Sequence, residues 1–256
     1  MAEVVGFVIG LAGLFNAVVD DLEYVQFAHS FGADLQLSAL QLSNAQLRLS
    51  RWGKSIGLGD VDGETRSLRG TLISEEDIEP TEKLLRDILA QLRLIKQKSA
   101  EYAKGKNPED KSLKVYDPEN VLGYSDLSLL EIGRSLVRRR RNGLLKKTKP
   151  KWVVYDRGHF KEMLDNVTKL TGELVELFPA AKVKEKELCD EEMTAFTGSL
   201  RQLQAAIANQ DITLTTMLSQ LLNPASETYN FGMQGGQVAQ AGRNVGHVQQ
   251  TVNNHR

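Results

Sequence analysis

The chain of 256 residues has room for one large domain or two small ones, and its 41% hydrophobic content excludes wholesale disorder. With 32 basic and 33 acidic side chains, the formal net charge of −1 excludes a global electrostatic field for nucleic acid, leaving only local patches. A single cysteine, Cys189, excludes an intramolecular disulfide and a zinc cluster, and fits a reducing, cytoplasmic compartment.

From Val4 to Val19 the chain carries no charge. Val4, Val5, Phe7, Val8, Ile9, Leu11, Leu14, Phe15, Val18 and Val19 place apolar side chains on nearly every face of the implied helix. Only Met1, Ala2 and Glu3 precede it, without the positive flank of a secretory leader. Sixteen residues make a helix of roughly 24 Å, short of the ~30 Å hydrocarbon core. A buried core helix and a segment that enters lipid conditionally both remain open. Asp20, Asp21 and Glu23 follow as boundary acids, and the segment to Phe31 turns amphipathic.

A helical period runs from Asp34 through Leu37, Leu40, Leu47 and Trp52, and Gly53 to Gly63 is a turn-rich break. Ser74, Asp77 and Pro80 announce the next helix, whose stripe is Leu85, Ile88, Leu89, Leu92 and Ile95 and which ends near Gly105. A helix is predicted over Leu127 to Leu145. Trp152 to Tyr155 reads as a strand or an extended linker. Phe160, Met163, Val167, Leu170, Leu174 and Leu177 mark another helix, stopped by Pro179. Leu188 to Ile207 and Ile212 to Leu222 complete an all-α multi-helix bundle over residues 1–222.

Composition changes at Asn223-Pro224. Thr228 to Arg256 holds five glycines, five glutamines, four asparagines and no proline, with Arg243 and Arg256 the only charges. Such a segment cannot bury enough apolar surface to fold alone but can stack in register as cross-β. A disordered, amyloid-prone tail is therefore expected over residues 223–256.

No catalytic constellation is legible, and no cofactor motif. The histidines His29, His159, His247 and His255 lack metal-ligand spacing, and Cys189 lies among Glu185, Glu187, Asp190 and Glu191, which disfavour a thiolate. Asp60-x-Asp62-Gly63-Glu64 has its glycine misplaced for a calcium loop and Thr71 at the twelfth position. Arg138, Arg139, Arg140 and Arg141, followed by Lys146, Lys147, Lys149 and Lys151, form the one strongly basic stretch. It reads as a solvated helix end or as a grip on phosphates, for which lipid headgroups suit better than nucleic acid because no aromatic residues interleave.

Gly13-Leu14-Phe15-Asn16, Asp20-x-x-Glu23-Tyr24-Val25-Gln26 and Phe31-Gly32-x-Asp34 resemble the start of fungal HeLo domains of the HET-S/HET-s type. Gln46-x-Arg48-Leu49-Ser50-Arg51-Trp52-Gly53 is similar to a second family block, and Trp152 with Tyr155-Asp156 to a third. Within the family the loss-of-pathogenicity B type is the nearer resemblance. The tail departs from HET-s, which carries two longer pseudo-repeats. Here Phe231, Gly232, Gln234, Gly235, Gln237, Val238, Gly242, Asn244, Val245 and Gly246 resemble instead a short σ-type amyloid motif. The resemblance implies a non-enzymatic executioner, cytoplasmic at rest and membrane-associated on activation. An upstream receptor bearing a matching amyloid motif templates the tail, the domains self-associate, and the first helix meets membrane lipids. The competing reading is a non-lytic adaptor that assembles signalling fibrils.

Overall fold

The computed structural model describes residues 10–61, 67–116, 122–141, 151–197, 203, 204, 207, 210–222, 230–232 and 238–240. The chain divides into two compact units, 1–218 and 219–256. Seven α-helices lie among the described residues: α1 (Leu11–Glu23), α2 (Leu35–Ser55), α3 (Glu75–Lys104), α4 (Tyr124–Arg139), α5 (Arg157–Leu177), α6 (Lys182–Ala195) and α7 (Ile212–Leu222).

Helix α2 is the axis of the bundle and packs against α1, α4, α5 and α6. Its burial extends well beyond one stripe, taking in Ser38, Asn44, Gln46, Ser50 and Arg51 besides the leucines. Helix α3 packs on α1 and α5. Its start is the sequence-predicted one. The Asp77 carboxylate accepts from the Ser74 backbone N–H at 2.9 Å and from the Ser74 hydroxyl at 2.6 Å. Glu75, Glu76 and Asp77 complement the positive end of the helix dipole.

Helix α1 buries Leu11, Leu14, Phe15, Val18, Val19 and Leu22, an i, i+3, i+4 series facing the core. It stops at Glu23, short of the amphipathic run to Phe31. Val25–Phe27 is instead a strand, β1, a segment whose Val and Phe suit a pleated surface. Strand β1 pairs in parallel with β2 (Trp152–Val154) in the register Val25 to Trp152 and Phe27 to Val154. The Trp152 run is thus a strand rather than a linker. Phe27, Phe31 and Phe160 close that end with edge-to-face contacts at 4.9 to 5.7 Å between centroids.

Two helices differ from expectation in their bounds. Helix α4 starts at Tyr124 and ends at Arg139, where the basic run begins to turn away. Helix α6 runs from Lys182 to Ala195 where Leu188 to Ile207 was expected: it starts early because its buried face includes Glu185 and Glu192, and it ends early, with the Phe196 N–H capping it on the Glu192 carbonyl. An apolar stripe interrupted by acids does not show its period.

Trp52 and Phe15 meet edge-on at 6.1 Å, and the Trp52 indole donates to the Leu174 carbonyl at 3.0 Å. Gly53 is required here, because a Cβ at that position would overlap the Phe15 ring. Gly57, at φ +84°, turns the chain out of α2. Gly53→Val is expected to lower stability by about 1–3 kcal/mol through overpacking, read as a fall in urea midpoint at unchanged slope. A midpoint equal to that of the parent protein would refute this account of the α1–α2 contact.

In the second unit, Asn230–Gly232 (β3) and Val238–Gln240 (β4) pair antiparallel, with Phe231 opposite Ala239 and Gly232 opposite Val238.

Candidate functional site: the seat of the first helix

The residues expected to enter a membrane are the ones that fill the core. Leu11, Leu14, Phe15, Val18 and Val19 are all buried, while Val4, Val5, Phe7, Val8 and Ile9 lie outside the described residues. No described helix is long and apolar enough to cross a membrane.

The C-terminal end of α1 carries Asp20, Asp21 and Glu23, which oppose the negative end of its own dipole. Polar groups from three other elements hold it. Arg141, just beyond α4, meets Asp20 at 2.5 Å and Glu23 Oε2 at 3.7 Å, and Arg138 meets Glu23 Oε1 at 2.7 Å. The Trp152 indole donates to the Asp21 carbonyl at 3.2 Å and the Trp152 N–H to the Tyr24 carbonyl at 3.0 Å. These are carbonyls that a helix end leaves without intrahelical partners. From α2, the Gln46 amide donates to the Val19 carbonyl at 3.1 Å. The boundary acids and the basic stretch, given separate roles on sequence, are partners in one clasp.

This corrects the headgroup patch. Arg140 and Arg141 do not face solvent: the Arg141 side chain is 5% exposed, and Arg140 is buried against α6. Two charges drawn from water are kept only where partners compensate them, and these have them. Arg138 is 55% exposed and Arg139 is exposed, while Lys146 and Lys147 lie outside the described residues. Of the amyloid motif, Phe231 and Gly232 fall in β3 and Val238 in β4. Gln234, Gly235, Gln237, Gly242, Asn244, Val245 and Gly246 lie outside the described residues.

Next to the clasp lies a buried ion network that composition and periodicity did not disclose. Arg51, 2% exposed, reaches Glu192 and Asp211, each at 2.5 Å, and Arg140 reaches Glu192 at 2.5 Å and the Leu188 carbonyl at 3.0 Å. Consecutive arginines thus face opposite ways, Arg140 into the network and Arg141 onto α1. Burial disfavours charge on Arg51, Glu192 and Asp211. Glu192 and Asp211 nevertheless hold the Arg51 guanidinium charged, well above its ordinary value. Burial pushes the Glu192 carboxyl up against the pull of Arg51 and Arg140. Asp211 resists the same burial through Arg51 and the Leu214 N–H, which hold its carboxyl below the usual carboxylate range. Cys189, beside them, is buried and its thiol is pushed well up, the opposite of a reactive thiolate.

Because the folded-state value of Asp211 is depressed, its contribution is complete above the unfolded value near pH 4 and is lost as pH falls through the folded value. Acid titration of stability is expected to steepen below about pH 4, and Asp211→Asn to flatten that limb. An unchanged limb in the variant would remove Asp211 from the acid transition.

The bundle and its clasped first helix define a HeLo-type helical domain. The family described as HeLo, prion-inhibition and propagation, matches residues 4–205, and the chain belongs to that family. Heterokaryon incompatibility protein s of Podospora anserina is 30% identical over 198 residues, covering 73% of this chain and 63% of the relative. Heterokaryon incompatibility protein S of the same species is 29% identical over 193 residues, covering 72% and 61%. The chain therefore spans just under two thirds of these relatives' length. The HET-S N-terminal domain structure superposes with a TM-score of 0.75 at 25% identity, covering 87% of this chain and 97% of that domain. A doubly substituted HET-s N-terminal domain superposes at 0.74 and 24% identity, a likeness of fold.

Proposed function

We propose that this protein is a cell-death effector of the heterokaryon-incompatibility type, cytoplasmic at rest and membrane-associated on activation. Its tail is templated into amyloid by a receptor bearing a matching motif. Crowding of the captured domains then frees α1, with the apolar residues before it, to enter lipid. The observation that carries this reading is the way α1 is held. Its apolar face is buried as core, yet its acidic end is restrained by Arg138 of α4, by Arg141 just beyond it, and by side chains of β2 and α2. A hold of that kind can be released without unfolding the helix itself. Burying Leu14, Phe15 and Val18 contributes about 1.5–3 kcal/mol each at rest, a gain that lipid can replace. Asp20 and Asp21 would then stay at the headgroup boundary, since each costs on the order of 3 kcal/mol at the bilayer centre.

The test is dye release from vesicles containing anionic lipid, using the full chain with and without preformed fibrils of a 228–256 peptide. Release is expected only when protein and fibrils are both present. Gly10→Lys, at the half-buried start of α1, is expected to abolish release while leaving fibril capture intact. Capture of the protein by fibrils without any release would reject the membrane step and leave the adaptor reading in its place.

A further inference from the structure

Asn44, Arg48 and Arg51 stand at i, i+4 and i+7 on one face of α2, and all three reach the same two residues. The Asn44 amide donates to Gln210 Oε1 at 3.3 Å, Arg48 Nη1 to the Gln210 carbonyl at 2.8 Å, and Arg51 Nη2 to Asp211 Oδ2 at 2.5 Å. Gln210 and Asp211 form the turn from which α7 starts. The other Asp211 oxygen accepts from the Leu214 N–H at 3.1 Å and caps that helix. At 11 residues α7 is too short to be stable alone, and among its described side chains the buried apolar ones are Leu214, Met217 and Leu218. Its docking therefore depends on the grip of α2 on the turn.

Glu185 of α6 belongs to the same buried cluster. It is 7% exposed, and among the described residues it has no hydrogen-bond or ion-pair partner. The guanidiniums that could serve it are engaged elsewhere. Arg51 holds Glu192 through Nη1 and Asp211 through Nη2, and Arg48 Nη1 holds the Thr168 and Gln210 carbonyls. The titratable groups around Glu185 are Arg48 and Arg51 from α2, Cys189 and Glu192 on its own helix, and Asp211 ahead of α7. Arg140 reaches Glu192 from the end of α4, and the turn Pro179–Ala181, which also packs on α6, carries no titratable side chain. Burial pushes the Glu185 carboxyl up, Arg51 and Arg48 offset only part of the rise, and Asp211 and Glu192 add to it. Once ionised, Glu185 is a third carboxylate that competes for Arg51 and Arg48 and repels Asp211.

We infer that the Gln210–Asp211 turn is a proton-gated latch on α7. The helix stays docked while Asp211 is ionised and Glu185 is protonated, and its hold slackens, with the rest of the bundle folded, when either changes charge. Asp211, held low in the folded protein, supports docking above its ordinary value of 3.8 and loses that contribution as pH falls through the folded value. Glu185, held high, supports docking below its ordinary value of 4.5 and loses that contribution as pH rises towards the folded value. The hold on α7 is thus tightest at about pH 4 and weakens on both sides.

Hydrogen exchange of the full chain would be followed from pH 4 to pH 8, corrected for the intrinsic rate at each pH. The opening constant of residues 212–222 is expected to rise with pH above 4.5, at most about tenfold per unit, and then to level off, while α3 and α5 change far less. Glu185→Gln keeps the shape and removes the charge, and is expected to abolish that rise and to leave α7 the slower to exchange at pH 7. Carbon-13 titration of the glutamate carboxyls in the unsubstituted protein gives a second measurement, in which Glu185 is expected to titrate above 4.5. Glu185 titrating at or below that value, or a Glu185→Gln protein whose α7 keeps the parent's pH dependence, would overturn its role. Exchange in α7 that follows α3 and α5 at every pH would overturn the latch.

Discussion

Arg51→Ala is expected to cost about 3–5 kcal/mol, a large part of the ~5–15 kcal/mol that holds a domain together. Glu192 is fully buried and Asp211 nearly so, and both lose their principal partner in the variant. Arg140 still reaches Glu192, so the heavier loss falls on Asp211, whose side chain keeps the Leu214 N–H as its donor. Arg51→Lys separates charge from geometry. Lysine keeps the positive charge, but a single ammonium does not span two carboxylates as the planar guanidinium does, with Nη1 on one and Nη2 on the other. An intermediate loss of about 1–3 kcal/mol is therefore expected for lysine. Urea midpoints with unchanged slopes are the measurement. A cost below about 1 kcal/mol for the alanine variant would show that the network is not a structural hub.

The elements that announced themselves in the sequence are those whose buried face is apolar and whose ends carry their own caps. Helix α3 shows both, in Ser74, Asp77 and the stripe from Leu85 to Ile95. Helix α5 shows an apolar stripe ended by Phe178 and Pro179. Helix α6 was legible only in part, because Glu185 and Glu192 occupy buried positions where the pattern demands apolar ones. Glu192 is tolerated there by Arg51 of α2 and Arg140 at the end of α4, a pairing that hydropathy along one segment cannot express. The basic run failed for a related reason. Charge is written in the sequence, but its partner is not: Arg141 finds Asp20 from 121 residues away, and Arg138 finds Glu23 from 115. The family block around Arg51-Trp52-Gly53 did point to the right place. Arg51 is the network hub, Trp52 fills the core, and Gly53 makes room for Phe15. Resemblance marked those positions without giving their physical reason.

Arg141→Glu is expected to open the seat of α1 while the rest of the bundle stays folded. The substitution removes the guanidinium that meets Asp20 at 2.5 Å and adds an acid to a helix end that already carries three, against the dipole. The Arg141 and Glu23 side chains are both more than nine-tenths buried, so breaking their contact costs about 3–5 kcal/mol. Arg138→Glu is a weaker lesion, about 0.2–1 kcal/mol, because more than half of that side chain lies in water. At about 1.4 kcal/mol per tenfold, amide exchange across residues 11–23 is expected to accelerate by roughly a hundred- to a thousandfold in Arg141→Glu. Exchange in α3 and α5 should change far less. If the seat restrains membrane entry, the same variant should release dye from anionic vesicles without fibrils. Restoring the pair in reverse, with Asp20→Lys and Glu23→Lys added to Arg141→Glu, should bring back protection and silence the leakage together. Protection that returns while leakage persists would mean that α1 is not the lytic element. Exchange in α1 that never changes would mean that the packing of Leu14, Phe15 and Val18 alone holds the helix, and that the clasp is incidental to it.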